Sequence, residues 1–414
     1  MTTKYFILSL FLTLLVSTGL YSENLLTLEQ CIQIAKAKNV TLLQSGYSLE
    51  SSRINTRDAY SALYPGASFS ISSGAGSSDF IPSENGSFSH TTSISQTLYT
   101  PGLLPGLKMA KLSEKKMEAA LNATQNQLET AVATLYYNIL SAKALILVYE
   151  ENIRLADENI KKIRTMYELG TRTESDVLKS EVQKGNFVSQ LINEQQNLLA
   201  LKRNLNVTLG RSANQDLNLA NTGTEAATLL KLEDAFIQLR KNNPDLKQAE
   251  MQKELSQLSL SAAKQGYYPN VSASYNYTSS SSDGTSISGS SVSLNAGMSL
   301  FNRFKTKNTI QKERIKLKQS DLSYDDNLRN LDRRLLDLYT QNLTIDELIG
   351  INETTLESSQ RDLDIVTQQY QIGSSTILDQ MNAQLSVLNA QSNLVKLKYS
   401  KKILESQITT LIGL

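Results

Sequence analysis

Few side chains in this sequence have the types and spacing that covalent or metal chemistry requires. One histidine, His90, and one cysteine, Cys31, provide no imidazole or thiolate cluster for a metal and exclude an intramolecular disulfide. The adjacent acids Asp325 and Asp326 lie in a charged, helix-patterned run and read as a solvated face. No glycine-rich phosphate loop with its following lysine occurs, so nucleotide binding has no support. The chain is therefore not read as an enzyme, and neither cofactor nor metal is expected. The carboxylates that stand out are Asp176 and Asp379, in the turns YELGTRTESDVL (167–178) and YQIGSSTILDQM (370–381). An acid in the first turn of a helix is favoured by the helix dipole, whatever else it does.

These turns join long helical runs. Val132, Ile139, Ile146, Ile153, Ile160 and Tyr167 recur every seven residues, the spacing that keeps one seam of a helix against a partner. Leu191, Leu198 and Leu205 repeat the period on the return limb, and Gly170 sits where a helix takes a left-handed cap before reversing. A second hairpin carries Leu335, Ile349, Leu356, Leu363 and Tyr370 in the same register, interrupted by Asn342. Tyr167 aligns with Tyr370, Gly170 with Gly373, Asp176 with Asp379 and Gly210 with Gly413, so the chain is a tandem duplication.

The chain has 414 residues, 20% charged and 40% hydrophobic, which suits narrow helix seams better than several thick cores. Residues 1–22, with Lys4 before an apolar run, read as a secretory signal peptide. Of the 41 basic and 40 acidic residues only Lys4 lies in that segment, so the remainder is formally neutral and no nucleic-acid partner is expected. No later window approaches the run of apolar residues that a membrane helix needs, so any membrane crossing must use strands. Cys31 aligns with Ala235 and reads as a small buried residue.

In order, the expectation is a first repeat over 23–210, a linker over 211–231 packed around the outside of the helices, and a second repeat over 232–414. The first repeat has a helix from Leu28 to Leu63 ended by Tyr64-Pro65-Gly66, a β-hairpin over 67–100 around DFIPSENG, and a helical hairpin over 103–209. The second has a helix starting at Leu232, a β-hairpin over 270–301 and a helical hairpin over 303–413. In its strands Val271, Ala273, Tyr275 and Tyr277, then Val292, Leu294, Ala296, Met298 and Leu300, alternate with polar residues. Their connector, SSSSDGTSISGS (279–290), reads as a mobile loop. Tyr64, Tyr99, Tyr267, Tyr268 and Phe301 cluster at the helix-facing strand ends, either as an interfacial girdle or as a plug between sheet and helices. Four strands cannot close a membrane barrel, for which about eight are needed, so several chains must share one.

With every element present twice, the sequence resembles the TolC-like outer membrane efflux proteins, or outer membrane factors, over nearly its whole length. The segments that carry the resemblance are LTLEQCIQIAKAKN (26–39), KLEDAFIQLRKNNP (231–244) and, most specifically, GTRTESDVL (170–178). The fold class implied is mainly α with a small β part: coiled-coil helical hairpins forming an α-barrel, and four strands contributed to a shared trimeric 12-stranded barrel. The resemblance implies a homotrimeric outer-membrane duct that reaches into the periplasm. It would serve a tripartite efflux pump or a type I secretion system, with a periplasmic adaptor and an inner-membrane transporter as partners. The alternative is a periplasmic structural or adaptor-like coiled-coil protein without a membrane barrel.

By the same resemblance Asp176 and Asp379 match the aspartate of the narrow entrance, where like charges from three chains would attract cations. Arg172 matches the arginine of the Gly-Thr-Arg-Thr turn, and with Tyr167 and Tyr370 suits contacts that hold the tip shut. Leu169, Gly170 and Thr171, with Ile372, Gly373 and Ser374, match the adaptor-contact turns, although both glycines also suit plain helix caps. Ser375 replaces the arginine in the second turn, and Lys179 and Asn382 stand where a second entrance aspartate occurs in the family.

Overall fold

The structure, a computed structural model, describes residues 25–74, 87–221, 229–282 and 285–413. The signal-peptide reading of 1–22, the DFIPSENG loop and residues 222–228 of the linker lie outside the described residues. Two helices, α1 (Leu28–Lys38) and α2 (Val40–Ser61), lead to strands β1 (Gly66–Gly74) and β2 (Ser87–Tyr99), then to α3 (Leu103–Glu168) and α4 (Glu174–Thr208). The pattern repeats as α5 (Leu232–Asn242), α6 (Pro244–Lys264), β3 (Asn270–Ser282), β4 (Thr285–Gly297), α7 (Lys305–Gln371) and α8 (Ile377–Ile412). At about 1.5 Å per residue, α3 and α7 are each roughly 100 Å long.

The expected single helix from Leu28 to Leu63 is divided at Asn39, and its copy at Asn243. Asn39 leaves helical geometry at φ −66° and ψ 124°, and its Oδ1 accepts from the amide of Leu42 at 3.1 Å. Its Nδ2 donates to the carbonyl of Thr208, at the end of α4, at 2.9 Å. Asn243 repeats the device, accepting from Asp245 and Leu246 and donating to the Leu411 carbonyl at 3.1 Å. One asparagine thus caps the start of one helix and the end of another, satisfying orphan groups on both. The end of α4 therefore meets the start of α2, and the end of α8 meets the start of α6. In the wall that results, α3 lies between α2 and α6 near the strands and between α4 and α8 further away, with α7 beyond α6 and α8.

The seven-residue seam is only partly buried. Val132, Ile139 and Ile160 are buried, Ile146 and Ile153 are half-buried, and Tyr167 is 43% exposed. A strict seven-residue repeat drifts about 20° per heptad on a straight helix, and the buried line has moved to Leu145, Asn152, Ala156 and Ile163. In α7 the seam holds, with Leu335, Asn342 and Tyr370 buried and Ile349, Leu356 and Leu363 half-buried. One other expectation is corrected: α3 is long and apolar enough in one stretch to cross a membrane by length and composition. The cause is packing on several sides. Val132, Tyr136, Ile139 and Leu140 bury themselves against Cys31 and Ala35 of α1, Leu205 of α4, and Leu217 and Leu219 of the linker.

The strands form one antiparallel sheet in the order β1-β2-β3-β4. Phe69 pairs with Thr92, Thr92 with Tyr277 and Tyr277 with Ser290, so these rows share a face with Ile71, Ile94, Tyr275, Val292 and Leu294. The other face is built of Ser70, Ser93, Thr278, Asn276 and similar residues, with Ile287 as an exception. The connector read as a loop over 279–290 is strand on both sides of residues 283–284, which lie outside the described residues. Serine and glycine are poor strand formers locally, but Ser281 pairs with Ser286 and Ser279 with Ser288, and ladder pairing overrides that preference. Tyr64, Tyr267, Tyr268 and Phe301 are exposed at the strand ends, which a plug between sheet and helices would have buried. Among the described residues one edge each of β1 and β4 is unpaired.

Gly210 adopts φ +68°, and a Cβ there would lie 2.3 Å from the Lys38 carbonyl oxygen at the α4–α2 junction. Gly210→Ala should destabilise the protein by about 1–3 kcal/mol. Gly350→Ala, at a helical site with nothing within 4 Å, should be neutral to stabilising by up to about 1 kcal/mol. Thermal unfolding followed by circular dichroism checks both, and equal effects would exclude the junction contact as the reason for Gly210.

Candidate functional site

The far ends of the two hairpins bring the sequence-matched residues together. In the first turn Gly170 takes φ +76°, its amide bonding to the Tyr167 carbonyl at 2.8 Å and that of Thr171 to Met166 at 2.9 Å. In the second, Gly373 takes φ +85°, with the amide of Ser374 bonded to the Gln369 carbonyl at 2.9 Å. Nothing lies within 4 Å of a Cβ built on either glycine, so the positive φ alone demands the residue. Leu169 is 73% and Ile372 81% exposed, each just before its glycine.

Both aspartates are engaged in capping their own helices. Asp176 and Thr173 exchange side-chain to backbone bonds at 3.3 Å, and Thr376 and Asp379 form the same box. Asp379 accepts from the Thr376 hydroxyl at 2.6 Å, the Thr376 amide at 2.9 Å and the Ser375 hydroxyl at 3.2 Å. The Thr376 hydroxyl first, then its amide and Ser375, hold this carboxyl below the usual aspartate range. Ser375, where the matched arginine is missing, therefore serves the cap.

Arg172 and Tyr370 join the two turns. The guanidinium lies 4.2 Å from the centre of the Tyr370 ring, and its Nη2 donates to the Tyr370 carbonyl. Tyr370 is 3% exposed, in a small core with Ile163, Val177 and Ile377. Its hydroxyl and the Arg172 Nε are buried without a hydrogen-bond partner among the described residues. Burial, with the Asp176 charge second and Arg172 opposing, raises the phenol pKa. Tyr167 is not equivalent to Tyr370: it is largely outside this core, and the arginine of its own hairpin turns to the other.

Behind the tip runs a line of amides that the sequence reading missed. Asn159 and Gln380 exchange bonds at 3.4 Å, Asn152 donates to Gln391 at 3.3 Å, and Gln183 donates to Gln384 at 3.4 Å. Asn152, Gln183, Gln380 and Gln384 are buried. The signal was present, since Asn152 and Asn159 are one heptad apart, as are Gln384 and Gln391, but only apolar residues were followed along the seam. Buried amides that satisfy one another specify a register while contributing only about 1 kcal/mol per bond. Among the described residues no cluster of three or more His, Cys, Asp or Glu is placed to hold a metal. Cys31 is buried, and burial pushes its thiol up to about 11.

A sequence profile for the outer membrane efflux protein family matches residues 31–211 and again 236–414. The chain is 24% identical over 407 residues to the probable efflux pump outer membrane protein TtgC of Pseudomonas putida, covering 93% of this chain and 82% of that one. Over 305 residues it is 22% identical to the cation efflux system protein CusC of Escherichia coli, covering 72% and 66%. A solved structure of CusC superposes with a TM-score of 0.85 at 19% identity, covering 93% of this chain and 92% of that one. VceC of Vibrio cholerae superposes at 0.82 with 16% identity, covering 93% and 96%. Two matched halves, a mainly helical wall and a four-stranded sheet agree: the chain belongs to the outer membrane efflux protein family, a protein of the bacterial outer membrane that extends into the periplasm.

Proposed function

We propose that three copies of this chain form one duct, the exit stage of a tripartite efflux pump or a type I secretion system. The observation that carries this reading is the sheet: one oily face, one hydroxyl-rich face, and an unpaired edge on both β1 and β4. Lipid does not tolerate unpaired backbone, so β4 of one copy pairs with β1 of the next until the ring closes. Three copies supply twelve strands. The helical wall has a matching need, for Ile315, Leu322, Leu336 and Leu343 form an exposed apolar stripe along the side of α7 away from its seam. Val40 and Tyr47 of α2, with Leu178, Val182 and Ile192 of α4, are exposed on the opposite flank and suit that stripe in the neighbouring copy. A periplasmic coiled-coil protein would have no use for the oily sheet face.

The hairpin tips are the gate and the adaptor-docking end. Leu169, Gly170 and Thr171, with Ile372, Gly373 and Ser374, offer exposed apolar residues on tight turns to a periplasmic adaptor. Arg172 on Tyr370 keeps the two hairpins of a copy together at the tip. The amides behind it permit the hairpins to exchange partners as the tip widens, where an interlocked apolar seam would resist. Asp176 and Asp379 hold the turns by capping and add negative charge to the mouth. Cargo selection is assigned to the inner-membrane transporter and adaptor, since the related ducts are named for toluene, antibiotic and cation efflux.

Heat-dependent gel mobility tests the shared barrel: the unheated protein should run as a folded trimer and the boiled protein as a monomer. A monomer in detergent by analytical ultracentrifugation would end this reading. In planar bilayers Arg172→Ala should raise conductance, since removing about 1 kcal/mol per protomer favours the open tip about fivefold in each protomer; Arg172→Lys should not fully restore closure. Unchanged conductance in both would remove Arg172 from the gate. Asp176→Ala with Asp379→Ala should raise conductance or reduce cation preference, and no change in either would remove these carboxylates from the gate. Because Asp379 titrates lower folded than unfolded, its cap is fully present above the usual aspartate value of 3.8 and is lost as pH falls through its lower folded value. Conductance should accordingly rise on strong acidification, less so in Asp379→Asn.

A further inference from the structure

The longest helix of the second repeat carries opposite charge at its two ends. From Lys305 to Lys318 the helix has six basic residues and one acid, whereas its far end, residues 341–371, holds six acids and one arginine. The start of α3 adds Lys108, Lys111 and Lys115 to Lys307, Arg314 and Lys318 at the start of α7, and all six are exposed. The ion pairs near them, Arg53–Glu114, Lys253–Asp321 and Lys316–Glu313, use other cations. Six like charges gathered below the sheet without an ion-pair partner among the described residues oppose folding slightly and call for a counter-charge from outside.

Their direction follows from helix geometry. Residues eighteen apart are about five full turns apart, on the same side of an α-helix. Lys111 precedes by eighteen residues Glu129, which binds Lys36 of α1 at 2.7 Å. Arg314 precedes by eighteen residues Asp332, which binds Arg240 of α5 at 2.9 Å. Lys108 and Lys115 flank Lys111, and Lys307 and Lys318 flank Arg314, at steps of three, four or seven residues that keep them on these faces. All six therefore project from the side of the wall that α1 and α5 cover further down. That side is the outer one, because α1 and α5 on the inside would obstruct the duct proposed above, on which this inference rests.

Height narrows the partner. Lys108 to Lys115 lie roughly 8 to 18 Å below the start of α3, and Lys307 to Lys318 roughly 3 to 20 Å below the start of α7. The exposed aromatics Tyr64, Tyr267, Tyr268 and Phe301 stand just above them at the strand ends. A headgroup layer is only about 5–7 Å thick per leaflet, and charge is felt over a further Debye length of about 8–10 Å. We propose that these six side chains form a cationic collar that binds the anionic headgroups of phospholipids in the periplasmic leaflet, seating the barrel at a fixed depth. The acid-rich far end of α7 would be repelled if it approached the same surface, so the membrane recognises one end of the molecule.

The test uses the full-length, detergent-purified protein and a variant with all six residues changed to glutamine. Phosphatidylglycerol in mixed micelles should raise the unfolding temperature of the wild type more than phosphatidylcholine does, and this preference should vanish in high salt and in the glutamine variant. A second variant, Lys→Arg at the five lysines and Arg314→Lys, should retain it. Equal responses to the two lipids, or a preference that survives in the glutamine variant, would overturn the proposal. An equal rise with inorganic phosphate would assign the collar to a soluble anion instead. Loss of peptidoglycan binding in the glutamine variant, without any lipid preference, would assign it to the cell wall. Single-channel recording separates the two readings: a glutamine variant and wild type that both conduct, with no lipid preference in either, sinks the collar alone, whereas two non-conducting proteins sink the duct.

Discussion

Every backbone amide and carbonyl placed in hydrocarbon must find a partner within protein, and this requirement shapes the whole molecule. A sheet of four strands has two open edges, and β1 and β4 leave theirs bare. Closure by copies of the same chain imposes rotational symmetry on the strands. The helices follow, because α2, α3, α6 and α7 are each joined to a strand end by a short connection. The flanks of the wall, with their exposed apolar stripes on α7 and on α2 and α4, become interior surfaces only under that symmetry.

Within one copy the wall is made by the same unit used twice, and its joints differ from its shafts. The shafts are long helices whose stability comes from side-by-side packing. The joints are polar: Asn39 and Asn243 each cap one helix and reach the last carbonyls of another, and Gly210 and Gly413 let the backbones approach. Helices whose ends meet in this way act as a single strut, while α1 and α5 are freed to lie against the wall.

Duplication left the tips similar in outline and different in detail. Each turn has a left-handed glycine, a threonine cap and a reciprocal aspartate. Yet of the two matched tyrosines Tyr370 is the buried one, and of the two matched positions after the glycines Arg172 reaches the other hairpin while Ser375 has become part of a cap. A stacked guanidinium on one ring, backed by amides that bond to each other, fastens the tip without a large apolar core. Such a fastening contributes about a few kcal/mol in all.

Much of this was legible from residue spacing. The two Gly turns, the threonine–aspartate boxes, the Tyr-Pro helix ends and the change from helical to two-residue period are local signals, written within a few residues of where they act. The helix break at Asn39 was missed because asparagine at that point is set against a carbonyl more than 160 residues away in sequence. The strands at 279–290 were hidden by serines whose pairing partners alone make them strand. The sequence by itself determined the repeats, the turns and the caps, because those depend on neighbours along the chain. Which heptad face is buried, which tyrosine enters the core, that Arg172 reaches across to the other hairpin, and that the cations of α3 and α7 share the face on which α1 and α5 lie were decided only by tertiary structure. Each of these depends on how far a helix has rotated by the time it meets a distant partner, and a small drift per heptad, accumulated along a helix of about 100 Å, is enough to change the answer.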